Sequence, residues 1–267
     1  MRITRNTSRF PAGFSTYSPD GLPSYRGGNG GAAFDPASIV GAGDTALILD
    51  FTDRTKTYQD VLKTTPALLD GDPVRAVEPQ PHDGIQLPDL LYNTGSNMSL
   101  TSDGATLGAS STKMRVDTIG AVGIMDHSNG ITIASGVCES LEQGGMYAST
   151  KNSGANTQIF RRQNSAGGQL DCRYGDAPTQ IIVADRDFGT FKSLASKGSS
   201  TTGGVYEDGV QFGSDFTLVS PTSTGSQIWL IQIGLGNPDA IIKRYFFINR
   251  ELTNEEFANI NAWVIGQ

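Results

Sequence analysis

Cysteine and histidine are scarce in this chain, with two of each among 267 residues. The cysteines, Cys138 and Cys172, cannot build a disulfide framework, and no Cys/His spacing matches a zinc site. His82 and His127 both lie in turn-like sequence, and neither follows the Gly-x-Ser-x-Gly pattern that positions a catalytic serine. The sequence therefore predicts no metal ion, no cofactor and no histidine-based catalytic site.

Long apolar runs and an excess of positive charge are also missing. The longest apolar stretches, residues 228–235 and 240–248, are of strand length and contain polar side chains, whereas a membrane-spanning helix needs about 20 apolar residues. The net charge is −7 at pH 7, and nucleic-acid phosphates require a basic surface. We expect neither membrane insertion nor a nucleic-acid partner.

Glycine is abundant, with 33 residues, and the N-terminal segment combines it with proline. Residues 1–40 show no helical or strand period and carry four arginines against two aspartates, whereas the remainder of the chain is acidic. Aromatic side chains spaced along a basic, extended segment favour an arm that binds other protein subunits. The predicted anchoring residues are Arg2, Arg5, Arg9, Phe10, Phe14, Tyr17 and Tyr25.

The sequence from residue 44 onward is typical of β-strands separated by turns. Apolar or alternating runs of strand length cover residues 46–51, 168–174, 179–184 and 226–233. Clusters of Gly, Asn, Asp and Ser lie between them, a spacing that favours a β-sandwich.

Two local motifs are specific enough to predict individual elements. Asp208-Gly209 is a dipeptide favoured in two-residue type I′ hairpins. Both turn positions need a positive φ, which Asp and Gly adopt more readily than most residues. Thr253 with Glu256 forms a capping box at the start of a short segment, 253–264, whose apolar residues share a helical face. We therefore expect a hairpin at 205–212 and one short C-terminal helix.

The order of these motifs resembles the C-terminal half of concanavalin A-like, laminin G-type jelly rolls. The hairpin is followed by a strand ending Ile-Gly-x-Gly at 233–236, and then by a closing strand with an "Asn-Arg-x-Leu-[Ser/Thr]-x-x-Glu" motif. The matching residues are Asn249, Arg250, Leu252, Thr253 and Glu256. Asp208 stands where that family usually has Asn. The resemblance implies an all-β, antiparallel jelly-roll sandwich over residues 95–267; a calcium ion at its rim is an open alternative for which the sequence singles out no ligand.

A second resemblance lies upstream of the sandwich. Residues 57–60 (Thr-Tyr-Gln-Asp), 64–67 (Thr-Thr-Pro-Ala) and 70–74 (Asp-Gly-Asp-Pro-Val) are similar to a short module that precedes such jelly rolls in bacteriophage tail-fibre and other virion proteins. Residues 78–84 depart from that module, which normally ends in a Lys-Ser-Gly-Asn-type segment. The expected organisation is an anchoring arm (1–40), a connecting module (41–94) and the jelly roll (95–267).

These resemblances imply a non-enzymatic phage virion surface protein. Its expected partners are capsid, portal or tail proteins, other copies of itself in a homo-oligomer, and a host surface polysaccharide. Its expected location is the virion. Two alternatives stay open: a free lectin-like carbohydrate-binding protein, and a glycan-degrading enzyme.

Carboxylate pairs and tyrosines are the residues that distinguish these alternatives. Retaining glycoside hydrolysis needs two acids about 5 Å apart, and neither Asp185 with Asp187 nor Glu139 with Glu142 lies in the expected strand motif. We therefore expect no catalytic residues. Sugar recognition needs an exposed aromatic surface with a few polar groups, and the candidate glycan-binding residues are Tyr147, Tyr174, Asp176 and Tyr206.

Overall fold

A computed structural model describes residues 33–94, 98–106, 113–117, 130–138, 145–152, 155–163, 169–174, 181–183, 193–217, 227–233 and 241–266. A short 3₁₀ helix, Pro36–Ile39, precedes the first strand. The described strands and the one described α-helix are β1 (Thr45–Asp50), β2 (Thr57–Tyr58), β3 (Pro73–Val74), β4 (Ala76–Val77), β5 (Ile85–Gln86), β6 (Leu90–Thr94), β7 (Met98–Thr101), β8 (Gly104–Thr106), β9 (Lys113–Asp117), β10 (Ile131–Cys138), β11 (Gly145–Asn152), β12 (Ala155–Gln163), β13 (Gln169–Tyr174), β14 (Ile181–Val183), β15 (Ser193–Gly198), β16 (Thr202–Glu207), β17 (Val210–Thr217), β18 (Gln227–Ile233), β19 (Ile241–Ile248) and α1 (Asn254–Ile265).

The described strands form two sheets. The first has the order β17-β16-β15-β10-β19-β8-β7-β3, with β1 also paired to β19 and β5 to β1. The second has the order β14-β13-β12-β11-β18-β9-β6-β4-β2. Among the described pairs only β1 with β5 is parallel. The predicted all-β, antiparallel jelly-roll class with a short C-terminal helix is therefore confirmed. Residues 1–32 of the predicted arm (1–40) lie outside the described residues, and residues 36–39 of it form the 3₁₀ helix.

Strand β19 lies at the centre of the first sheet. One of its edges pairs with β10 from Ile241 to Ile248. Its other edge pairs with β8 at residues 241–242 and with β1 at residues 244–248. Residues 245–248 of β19 are fully buried, as expected for an aromatic and β-branched run with strands on both edges. The core of the first sheet is therefore built around this strand.

Both local motifs have the structure that the sequence predicts. Asp208 and Gly209 have φ values of 52° and 79°, and they join β16 to β17 with Glu207 opposite Val210. In α1, Thr253 accepts a hydrogen bond from the Glu256 backbone N–H, and the Glu256 side chain accepts one from the Thr253 N–H. The predicted hairpin and capping box are confirmed.

The predicted connecting module, residues 41–94, contributes strands to both sheets. Within it, β1 pairs with β19 in the first sheet, and β6 pairs with β9 in the second. The boundaries at residues 40 and 94 stay predictions. No helix in the described part of the chain has the length and apolar character needed to cross a membrane.

Helix α1 lies directly on β10 and β19. A Cβ added at Gly136 of β10 would overlap the backbone carbonyl oxygen of Val264 in the helix. Near the end of the helix, Arg244 of β19 donates a hydrogen bond to the Trp263 carbonyl at 2.6 Å and another to Asp50 at 2.8 Å. Its guanidinium also lies 5.2 Å from the centre of the Trp263 ring. Close backbone approach and these contacts fix the helix on the sheet.

We expect Gly136→Ala to lower the free energy of unfolding by about 3 kcal/mol, because the new methyl group meets helix backbone and not a flexible side chain. Chemical denaturation measures the effect. Gly43→Ala is the matched control: an added Cβ there has no neighbour within 4 Å, so stability should stay within about 1 kcal/mol of the parent. Equal effects of the two substitutions would contradict the close contact.

Two buried hydroxyl groups lie opposite each other on β10 and β19. Ser135 pairs with Tyr245 in the register, and neither hydroxyl has a hydrogen-bond partner within the described residues. Burial also raises the pKa of the Tyr245 phenol above its ordinary value. Because an unpaired buried hydroxyl costs free energy, Tyr245→Phe should leave the free energy of unfolding unchanged or raise it by about 1 kcal/mol. A loss above that size in denaturant titrations would show that the hydroxyl has a partner.

Candidate functional site

The structure places the predicted glycan-binding residues in different sheets. Tyr147 lies on β11 opposite Ile231, and Tyr174 ends β13 opposite Gln158, both in the second sheet. Tyr206 lies on β16 in the first sheet. Asp176 and the anchoring residues Arg2, Arg5, Arg9, Phe10, Phe14, Tyr17 and Tyr25 lie outside the described residues. The glycan-binding roles of Tyr147 and Tyr174 stay predictions.

Tyr206 is held by the hairpin and by helix α1. On β16 it lies opposite Gln211 of β17 and Ala195 of β15. Its ring centre is 4.6 Å from that of Phe257 in the first turns of α1, and the ring planes are inclined by 56°, a tilted arrangement that aromatic pairs favour. The tyrosine is half-buried, and burial, followed by the charges of Asp215 and Glu251, raises the pKa of its phenol. Part of the ring therefore faces solvent while packing fixes its position.

A polar group lies beside the ring on β17. The Gln211 side-chain amide donates a hydrogen bond to Asp215 at 2.6 Å. A Cβ added at Gly204 would lie 3.1 Å from Gln211 Nε2 and 3.2 Å from Tyr206 Cε2. Because Gly204 has no side chain, the Gln211 amide and the Tyr206 ring can both lie close to the sheet backbone at this position.

A lysine lies on the helix side of the same surface. Lys197 of β15 is nearly buried, and its ammonium group donates a hydrogen bond to Asn254 Oδ1 at 2.7 Å. It also lies 3.9 Å from a Glu251 carboxylate oxygen and 5.8 Å from the Phe257 ring centre. We refer to Tyr206, Gln211, Asp215, Lys197 and Glu251 as the Tyr206 surface.

The start of α1 is held in place by an ionic network next to this surface. Arg250 donates to both oxygens of Glu256, at 2.7 and 3.1 Å, and to Asp44 at 3.1 Å. The Arg250 guanidinium holds the pKa of Glu256 at about 2, with the hydrogen bonds from Thr253 contributing. The network ties the helix N-terminus to the turn before β1, and so fixes Asn254 and Phe257.

The Tyr206 surface combines one partly exposed aromatic ring with an amide and two carboxylates, next to the buried Lys197 ammonium group. In binding sites, an exposed ring packs on apolar faces of ligands, and amides and carboxylates exchange hydrogen bonds with hydroxyl groups. Among the described residues, no group of three or more His, Cys, Asp or Glu side chains could hold a metal ion. The surface therefore has the chemistry of a binding site for a polar, hydroxylated ligand.

Sequence reasoning identified only Tyr206 among these residues. A two-residue turn at Asp208-Gly209 places Gln211 opposite Tyr206. The hairpin register therefore could have identified Gln211 from the sequence. Lys197 of β15 meets Glu251, which lies between β19 and α1, only in the folded chain, and a contact across more than 50 residues has no local signature.

Comparisons with known proteins give fold relatives and no sequence relatives. No protein-family model and no curated protein sequence matches the chain. Trypanosoma rangeli sialidase in complex with sialic acid is similar to 95% of this chain, with 14% identity and a TM-score of 0.56. The same sialidase with 2,3-difluoro-KDN is similar to 96% of the chain, with 16% identity and a TM-score of 0.55. The chain spans little more than a third of the sialidase's length, 36–37%.

A receptor-binding domain shares the fold as well. The receptor-binding domain of botulinum neurotoxin C/D mosaic serotype is similar to 66% of this chain and 46% of its own, with 9% identity and a TM-score of 0.51. The fold thus occurs within an enzyme and in a receptor-binding domain, and the likeness shows the fold alone.

The predicted function of a non-enzymatic phage virion surface protein is wrong on this comparison. The solved structures named above that share the fold are a sialidase, which degrades glycans, and a neurotoxin receptor-binding domain. The prediction depended on several weak motifs that occur in the right order, and motif order follows the shared fold more closely than it follows the function. The bacteriophage resemblance itself, the virion location and the homo-oligomer stay predictions.

Replacing Glu256 by Gln tests the network that positions the Tyr206 surface. Glu256 has a pKa of about 2 when folded against an ordinary value of 4.5, so its stabilising effect is complete above about pH 5 and is lost as the pH falls towards 2. The shift corresponds to at most about 3 kcal/mol. Glu256→Gln should lower the free energy of unfolding at pH 7 by about 1 to 3 kcal/mol and flatten its decline between pH 5 and 2.

Urea denaturation across this pH range measures both effects. Glu255→Gln, an exposed carboxylate in the same helical turn, is the matched control and should change stability by less than about 0.5 kcal/mol. If Glu256→Gln retained the full pH dependence, another group would be responsible for it.

Proposed function

We propose that this β-sandwich is a lectin-type domain that binds carbohydrate, and that the Tyr206 surface is one of its contact sites. The observation that carries the proposal is the partly exposed Tyr206 ring, fixed by Phe257 and bordered by the Gln211 amide and two carboxylates. The sialidase that shares the fold was solved with sialic acid bound, which supports a carbohydrate as the ligand class.

The surface is organised before a ligand arrives. Tyr206 is clamped between the hairpin and α1, and Lys197 is tied to Asn254. A preorganised site loses less conformational entropy on binding than a mobile one. The polar groups of the surface are already paired with one another or with neighbouring residues. A sugar therefore gains its binding free energy mainly by packing on the Tyr206 ring and by replacing water at Gln211, Asp215 and Glu251.

Tyr206→Ala should weaken binding about tenfold, equivalent to about 1.4 kcal/mol, because it removes the ring on which the sugar packs. Tyr206→Phe is the matched control: the hydroxyl has no hydrogen-bond partner within the described residues, so binding should change by less than threefold. The full chain is first screened on an array of neutral and sialylated glycans, and affinities for the bound glycans are then measured by calorimetry.

Three results would change the assignment. No binding to any glycan would exclude carbohydrate recognition, and equal binding by the parent and Tyr206→Ala would exclude this surface. Thermal unfolding of each variant must show that the sandwich is intact. Release of free sugar from a bound glycan, followed by mass spectrometry, would favour a glycan-degrading enzyme.

A further inference from the structure

A groove of about 490 Å³ opens beside β1, away from the residues that form the Tyr206 surface. One part of its lining is apolar, and the other carries ionised side chains. Pockets of several hundred Å³ are large enough to enclose one or two sugar rings. The lining residues are Thr45, Lys56, Glu78, Pro79, Pro81, Ile85, Gln86, Leu87, Pro88 and Asp89.

The apolar wall belongs to the segment between β4 and β6, which is fastened along β1. The Gln80 N–H donates to the Ile48 carbonyl at 2.8 Å, and the Ile85 N–H donates to the Asp44 carbonyl at 2.7 Å. His82 accepts from the Gly84 N–H at 3.1 Å through Nδ1, and its Nε2 lies 3.2 Å from the Ala46 carbonyl oxygen. Three prolines further restrict the segment. The wall is therefore rigid without a ligand.

The polar wall is formed by Lys56, Glu78 and Asp89, which belong to a row of alternating charges with Lys63, a residue outside the groove lining. Lys56 Nζ lies 3.3 Å from one oxygen of Glu78, and Lys63 Nζ lies 2.8 Å from the other. Lys63 is also 2.8 Å from Asp89. All four side chains are partly exposed, with 25–40% of their surface accessible. The row thus presents hydrogen-bond donors and acceptors in alternation.

Lys63 is placed in this row by a strained turn. Its φ is +57°, a left-handed conformation that costs a lysine free energy. The Asp60 carboxylate compensates by accepting hydrogen bonds from the backbone N–H groups of Leu62, Thr64 and Thr65 at 2.8–3.2 Å.

The bridging lysine decides which chemistry the two carboxylates can perform. The oxygens of Glu78 and Asp89 that contact Lys63 are each 2.8 Å from it, so they lie within about 5.6 Å of each other, a separation compatible with a retaining glycosidase. Such an enzyme needs one acid with a raised pKa. Lys63 instead lowers the pKa of Glu78, so Glu78 accepts hydrogen bonds and does not supply a proton.

We propose that this groove is a second carbohydrate site, and that it takes uncharged pyranosides, with their hydroxyl edge on Lys56, Glu78 and Asp89 and their C–H face on the proline and aliphatic wall. Each sugar hydroxyl both donates and accepts, so an edge of hydroxyls matches alternating donors and acceptors. The inference rests on the proposed function, since it extends carbohydrate binding to a second place on the same domain.

The charge balance of the row favours uncharged sugars over acidic ones. Two lysines and two carboxylates make the row neutral, and Lys63 is already shared between both acids. A sialic acid or uronic acid carboxylate in the groove would lie beside Glu78 or Asp89 without an unshared cation to compensate. The groove therefore discriminates against acidic sugars, although a structural relative was solved with sialic acid.

The experiment isolates each site in the full-length chain. Neutral probes are the methyl glycosides of glucose, galactose and mannose, and the acidic probe is the methyl glycoside of N-acetylneuraminic acid; ligand-observed NMR gives the affinities. In the Tyr206→Ala background, at least one neutral probe should bind at least fivefold more tightly than the acidic probe. Adding Ile85→Glu, which places a charge on the exposed apolar wall, or Lys56→Met should weaken that binding at least fivefold.

Leu69→Glu is the matched control, because Leu69 is an exposed aliphatic residue outside the groove lining; it should change binding less than twofold. If a neutral probe binds but neither groove substitution weakens it, the second site is wrong and the proposed function stands. If the acidic probe binds the groove as tightly as the neutral ones, the ligand class is wrong. If no probe or array glycan binds the parent chain, the proposed function fails together with this inference.

Discussion

The pairing of β19 with strands on both of its edges is the constraint on which the first sheet depends. β10 occupies one edge, and β1 and β8 share the other. Without β19 the sheet would separate into three parts, β17-β16-β15-β10, β8-β7-β3 and β1-β5. The fully buried side chains of residues 245–248 supply apolar contacts on both faces. Backbone pairing and side-chain burial therefore converge on one strand.

Both proposed binding sites are built outward from this strand. On the β10 side, α1 lies over Gly136 and carries Phe257 and Asn254 to the Tyr206 surface. On the β1 side, the segment 78–89 is fastened to β1 and forms the wall of the groove. The two sites have no lining residue in common, but each owes its shape to a neighbour of β19. This arrangement allows one site to be altered while the sheet that supports the other is retained.

How much of this was visible in the sequence depends on the range of each interaction. Asp208-Gly209 and the Thr253–Glu256 box are set by neighbouring residues, so both could be predicted. The jelly-roll class followed from the order of such motifs. The row at the groove could not be predicted, because Lys63 reaches Glu78 and Asp89 only after two separate turns have folded. The function was mistaken because the motifs that resemble phage proteins report the fold and not the ligand.

The central place of β19 also governs the order in which the chain can fold during synthesis. β1 and β10 expose unpaired backbone edges until residue 248 has left the ribosome. About 110 residues separate the end of β10 from that point, which corresponds to roughly 5 to 20 s of translation. Over that interval the nascent chain presents two apolar strands with open edges, which are templates for intermolecular β-pairing. Heterologous expression should therefore be sensitive to translation rate and to chaperones that cover exposed strands, independently of how stable the finished sandwich is.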